Sequence, residues 1–365
     1  MNKENNINKL IAPHLDEFEQ YVGVSPSEVL AEREGLTLDR TIKLDANENP
    51  YGPSPKVHEA LGKALAANTY PDPLQRTVRA AIAAYARAPI EQIVAGAGAD
   101  ELIDLTVRIA ISHGDEVIDL VPTFGMYSIS SQIAGAKVIP VPRKADFGVN
   151  ISEITTAITG RTKIIFIANP NNPTGNLETE IAIRQLLALG PFVVVDEAYH
   201  EFSGFTVAEL TNEFQNLIVI RSFSKWAGLA GIRIGYAIVA PQVAHYLMKV
   251  KSPYNISTAA EAALLASLDD TDLLLHRVRL LVEERENMRS QLNSLSSITC
   301  LPSKGNFLLC RFPKGYGPFV HQNLASKGIF VRQFSHPSLE DTLRITVGLP
   351  EHTEILIKEI RGLIP

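Results

Sequence analysis

The chain has 365 residues, 45% of them hydrophobic and 20% charged, with a formal net charge of −6. A chain of this size and apolar content buries a large core and, at roughly 150 residues per domain, forms about two domains. Basic residues are dispersed with no run of five or more, and no apolar stretch approaches the ~18 residues of a membrane span, which excludes a nucleic-acid partner and a membrane protein.

The polar opening MNKENNINKL lacks the apolar core of a secretory signal, so a cytoplasmic protein is expected. Further on, DANENP presents Asn47, a candidate for substrate contact whose side chain could instead cap its own turn. From Gln92 to Tyr236 short apolar runs alternate with helical patterns: QIVAG, EVIDLVP, KIIFIANP, FVVVDEAY, LIVIRSFSK and RIGYAIV. Several are apolar at consecutive positions, as strands covered on both faces are, which predicts an α/β domain with a mainly parallel sheet.

Polar clusters follow three of these runs. Asn169 to Gly175 follow Ile164–Ala168, Asp196 to Tyr199 follow Phe192–Val195, and Ser222 to Lys225 follow Leu217–Ile220, with Arg233 eight residues beyond the lysine. Ligands of open α/β sheets bind beyond the carboxyl ends of the strands, so these clusters should converge. GAGADELIDL adds an anion site: Gly96 and Gly98 allow a tight turn, and Ala99 and Asp100 would open a helix with free N–H groups. A dinucleotide-binding module competes for this stretch, but Glu101 stands where the third glycine of that fingerprint belongs.

Toward the C-terminus, LRITVG alternates, placing Leu343, Ile345 and Val347 on one face and Arg344 and Thr346 on the other. This reads as a half-exposed strand of a smaller domain whose polar face could border the crevice; GIFVRQF could be an edge strand on which Arg332 is a surface charge. Cys300 and Cys310 cannot make a metal site alone, nor do the histidines have metal-ligand spacing; both cysteines are expected to be reduced core residues.

A lysine near a phosphate-binding helix start, with an aspartate at a neighbouring strand end, suits pyridoxal phosphate. Lys225 would supply the amine for a Schiff base, and Asp196 would keep the pyridine nitrogen protonated. Asn172 and Tyr199 could both hydrogen-bond the ring hydroxyl, while Ser222 and Arg233 could hold the phosphate.

The segments SFSKWAGLAGIRIGY, NPNNPTG and VVVDEAYHEF closely resemble those of the fold type I pyridoxal phosphate-dependent aminotransferases. With LDANENPYGP, NTYPDP, GAGADELI, PTFGMY and LRITVG, the resemblance is to the histidinol-phosphate aminotransferase branch of class II, and it runs from about Tyr21 to near the C-terminus. It implies a large cofactor-binding domain over residues 46–269 and a smaller α/β domain made of 270–365 with the arm 1–45. Lys225 would carry the proton between substrate and cofactor, Asp196 would meet the ring nitrogen, and Asn172 and Tyr199 the ring oxygen. Ala99, Asp100, Ser222, Ser224 and Arg233 would contact the phosphate. Phe124 would stack on the ring where many relatives have Tyr, and Tyr70 would reach the phosphate of the neighbouring subunit, so a homodimer is implied. Tyr21 would lie over the substrate, although Val24-Ser25 stand where relatives more often have Pro-Gly. Arg344 would grip the donor carboxylate and Arg332 is a candidate for the substrate phosphate. The implied activity interconverts histidinol phosphate and 2-oxoglutarate with imidazole acetol phosphate and glutamate. Threonine-phosphate decarboxylases and aromatic amino acid aminotransferases share these motifs and stay open as alternatives.

Overall fold

The computed structural model describes residues 10–15, 20–21, 23–63 and 66–364, so the polar opening up to Lys9 and part of the arm lie outside the described residues. Among the described residues twelve strands form two sheets: β1 Ile42–Leu44, β2 Ile93–Gly96, β3 Glu116–Val121, β4 Lys137–Pro142, β5 Thr162–Ala168, β6 Phe192–Asp196, β7 Leu217–Ser222, β8 Gly235–Val239, β9 Thr299–Cys300, β10 Phe307–Arg311, β11 Ile329–Gln333 and β12 Thr342–Thr346. The large sheet has the order β2-β8-β7-β6-β5-β3-β4, and only β8 runs against its neighbours.

Consecutive residues of the central strands divide between two cores. Ile165, Ile167, Val193, Val195 and Val219 pack on one face, and Ile164, Phe166, Val194, Ile218 and Ile220 on the other. With side chains alternating across a pleat and helices on both sides, every position must be apolar, which produces the unbroken runs. The strand KVIPVP, absent from the six predicted runs, is the sheet edge β4; its prolines at 140 and 142 are tolerated because an edge strand leaves one side of its ladder unpaired.

The second sheet has the order β1-β11-β12-β10-β9, parallel between β1 and β11 and antiparallel elsewhere. Two expectations need correction here. β12 is buried at all five positions rather than half-exposed, because its polar face is covered across the crevice between the sheets. β11, with Arg332, is flanked by β1 and β12 and is not an edge. The expectation of two separate reduced cysteines also fails: Cys300 and Cys310 face each other in register on β9 and β10, with Cα atoms 4.0 Å apart, and form a disulfide. Among the described residues, no helix is long and apolar enough to cross a membrane.

Candidate active site

The sheet register lines up the polar clusters. Ala168, Asp196 and Ile220 sit side by side on β5, β6 and β7. Because β8 is reversed, its first residue Gly235 pairs with Ser222, the last of β7, and with Gly96, the last of β2. Five strand ends therefore meet at one sheet edge. They line a cavity of about 380 Å³ that holds Asn47, Ala99, Asp100, Phe124, Asn172, Asp196, Tyr199, Ser222, Ser224, Lys225 and Arg233, with Tyr21, Arg332 and Arg344 opposite. Tyr70 is not among them: it is 79% exposed and stacks on Tyr254 at 4.3 Å.

At the floor, the Asp196 carboxylate accepts from the Tyr127 hydroxyl at 2.7 Å and from the Ala198 N–H at 3.0 Å. Burial pushes its pKa up to about 6, while these two donors pull it down. Lys225 donates to the Ala46 carbonyl at 3.1 Å. Burial, and then the positive charge of Arg344, brings its amine down to about 8. Tyr199 accepts from Asn47 Nδ2 at 2.8 Å, and burial raises its phenol to about 12. Since an amide N–H can only donate, the Tyr199 proton stays available to a further acceptor.

At the other end, helix Ala99–Ala110 starts directly after Gly98, which has φ 87°. A Cβ on Gly98 would lie 2.5 Å from Arg233 Nη2, so glycine is what lets the guanidinium rest on the helix start. Arg233 itself holds φ 61°, rare for a bulky residue, and reaches Asp100 Oδ2 at 2.8 Å. The Ser222 hydroxyl accepts from the Ser224 N–H at 3.1 Å, keeping the turn that presents both serines and Lys225.

Across the crevice, Arg332 and Arg344 are register partners on β11 and β12. Like charges directly opposite each other are destabilising unless an anion lies between them. Arg344 donates to Asn172 Oδ1 at 2.7 Å and to the Asp45 carbonyl, and its buried Nε has no hydrogen-bond partner among the described residues. Arg332 reaches the Gly23 carbonyl at 3.5 Å, and the Phe334 ring lies within 5.9 Å of both guanidinium groups. Asn47 does not cap its own turn: its side chain spans the two sheets, donating to Tyr199 and accepting from Thr346 Oγ1 at 3.1 Å.

Residues 39–360 match the profile of the aminotransferases of class I and II. The chain belongs to that family. It is 44% identical to a histidinol-phosphate aminotransferase of Roseiflexus castenholzii, with 97% of this chain and 98% of the relative covered. It is 41% identical to the chloroplastic histidinol-phosphate aminotransferase of Nicotiana tabacum, with 95% and 85% covered. The histidinol-phosphate aminotransferase of Sinorhizobium meliloti, solved in complex with pyridoxal-5′-phosphate, superposes with a TM-score of 0.86 at 25% identity, covering 97% of this chain and 98% of that one.

The cofactor of this aminotransferase is pyridoxal 5′-phosphate. The donor set fits it: a buried carboxylate for a ring nitrogen, an amine of lowered pKa for an aldehyde, and a helix start, two serines and an arginine for a phosphate. Three supporting residues of the aminotransferase escaped sequence reasoning. Tyr127, three residues past Phe124 in PTFGMY, bonds Asp196; Ala46 accepts from Lys225; and Asn49 Nδ2 donates to the carbonyls of Lys225 and Trp226. Helical spacing from Phe124 could have flagged Tyr127; backbone contacts such as that of Ala46 leave no signal in side-chain type.

Proposed function

We propose that this chain transfers the amino group of glutamate to imidazole acetol phosphate, giving 2-oxoglutarate and histidinol phosphate, as a step of histidine biosynthesis. Identity of 44% to a histidinol-phosphate aminotransferase over nearly its whole length carries the reading. The chemistry of the paired guanidinium groups supports it. Histidinol phosphate has a phosphate and no α-carboxylate, whereas glutamate has two carboxylates, so one site must accept different anions in its two half-reactions. In this assignment Arg344 takes the donor carboxylate and Arg332 the substrate phosphate, with Tyr21 over the substrate.

Pyridoxal phosphate, when bound, supplies the electron sink that stabilises negative charge at the substrate's reacting carbon. Asp196 holds a proton on the ring nitrogen by its negative charge. Tyr199 and Asn172 donate to the ring oxygen: Tyr199 because Asn47 occupies its acceptor side, and Asn172 through Nδ2 because Arg344 occupies its Oδ1. Phe124 packs on the ring face, and Ser222, Ser224, Arg233 and the N–H groups of Ala99 and Asp100 hold the phosphate. Lys225 Nζ would accept the substrate's α-proton and hold it, as the ammonium, for return in the same half-reaction. With a pKa of about 8 the amine is roughly a tenth neutral at pH 7, far more than an ordinary lysine. Positioned proton transfer of this kind contributes ~10² to 10⁴ in rate.

The same reading makes the active form a homodimer in which Tyr70 serves the partner's phosphate site. The exposure of Tyr70, Leu74, Tyr246 and Tyr254 on one chain supports that assembly. We divide the chain into an arm 1–45, a large domain 46–269 and a small domain 270–365, and place the enzyme in the cytoplasm, where phosphorylated intermediates are retained. The disulfide is compatible with that compartment because both cysteines are buried beyond the reach of soluble thiols.

The test is a panel assay of purified protein. Imidazole acetol phosphate with glutamate should give the highest kcat/KM; release of carbon dioxide from threonine phosphate, or a preference for aromatic keto acids, would overturn the assignment.

A further inference from the structure

Tyr127 lines the same cavity, and its hydroxyl donates to Asp196 Oδ2 at 2.7 Å while the Ala198 N–H donates to Oδ1. Its ring is fully buried, stacked on Phe166 at 4.9 Å with planes 2° apart, and meets Phe124 edge-on at 5.6 Å. A ring packed on both sides cannot swing its hydroxyl off the carboxylate. Burial, and then the charge of Asp196, keeps the phenol proton in place far above the ordinary tyrosine range, so Tyr127 acts only as a donor.

We propose that Tyr127 is a positioning residue of the transamination reaction, its hydroxyl keeping the Asp196 carboxylate ionised and oriented toward the ring nitrogen of pyridoxal phosphate. The inference rests on the role given to Asp196 under the proposed function. Without this donor, Asp196 would keep burial and the repulsion of Asp100 and Glu197 as raising influences, with Tyr199 and, acting on Tyr127, Asp119 also near, and the Ala198 N–H as its remaining donor among the described residues. A hydrogen bond to a buried charge is worth about one to two pKa units, so the carboxyl of a Tyr127→Phe protein titrates correspondingly higher. Since only the carboxylate pairs with a protonated ring nitrogen, the defect appears below the raised pKa and disappears above it.

The experiment is a titration of apoprotein with pyridoxal phosphate from pH 5 to pH 9, followed by quenching of Trp226, the sole tryptophan and the residue next to Lys225. Tyr127→Phe should bind about tenfold or more weakly at pH 6 and below, and within about twofold of the parent at pH 9. In an Asp196→Asn background, where no carboxylate titrates, Tyr127→Phe should leave the profile unchanged. A variant whose profile matches the parent's, or one weakened equally at every pH, would overturn the proposal and leave Tyr127 a packing residue. Failure of the parent itself to bind pyridoxal phosphate at any pH would instead strike at the function from which the proposal starts.

Discussion

Removing the Arg221 guanidinium should destabilise the protein more than removing its charge together with that of its partner. Arg221 and Glu197 follow or precede the site directly: one adjoins Ser222 at the end of β7, the other adjoins Asp196 at the end of β6. Arg221 Nε donates to Glu197 Oε2 at 2.9 Å, and its Nη atoms donate to Thr206 Oγ1 at 2.6 Å and Tyr236 Oη at 3.3 Å. Glu197 also accepts from Thr206 Oγ1 at 2.8 Å and from the Val207 N–H at 2.7 Å. The side chains are 5% and 0% exposed, so neither charge can turn to water. Arg221→Met leaves a buried carboxylate with only neutral donors, a loss of ~3 to 5 kcal/mol. Arg221→Met with Glu197→Gln removes both charges yet keeps an acceptor for Val207, and should cost only ~1 to 2 kcal/mol. Equilibrium urea unfolding of the apoproteins, with the midpoint shift multiplied by the slope, measures both. An Arg221→Met protein that loses less than ~1 kcal/mol, or a double variant that loses as much as Arg221→Met alone, would refute the reasoning.

In the unloaded protein Asp196 titrates near 6 against 3.8 for an ordinary aspartate, so the folded state holds its proton more tightly and stability falls as pH rises through that window. Asp196→Asn apoprotein should therefore exceed the parent by roughly 2 to 3 kcal/mol above pH 6 and match it near pH 4, as read from unfolding midpoints; a gap independent of pH would contradict the assignment. Lys225→Ala should lose turnover by at least ~10² while still taking up cofactor through the phosphate contacts, and borohydride, which should fix the cofactor to the parent, should fail to fix it to this variant. Gly98→Ala puts a Cβ 2.5 Å from Arg233 on a residue with φ 87°, and should weaken cofactor affinity about tenfold or more by equilibrium dialysis.

Much of the architecture was legible because the central strands have no solvent face: IIFIA and VVV can be read as strands without any partner in view, and the polar residues that end them mark the ligand edge. The failures have physical causes. Alternation in LRITVG correctly put Arg344 and Thr346 on one face, but period alone cannot tell a face open to water from one roofed by the other sheet. Ten residues of spacing between Cys300 and Cys310 say nothing about strand register, and β9 is only two residues long. Tyr127 reads as one more core aromatic in a helix, and its hydroxyl acquires a purpose only when a strand 69 residues later delivers Asp196 to it. Asn47 does line the cavity, but its partners Tyr199 and Thr346 come from the two sides of the crevice and could not be paired with it by reading along the chain.

The reversed strand β8 gives this enzyme a ruler. Residues 223–234 leave β7 and return to β8 on the same rim of the sheet, whereas a crossover between parallel strands would have carried the chain to the opposite rim. Lys225 and Arg233 thus belong to one short bridge, and in the roles proposed for them its span would have to match the reach of the cofactor from aldehyde to phosphate. If both side chains serve one cofactor molecule as proposed, an insertion or deletion between 225 and 233 would keep the two residues and lose their shared grip.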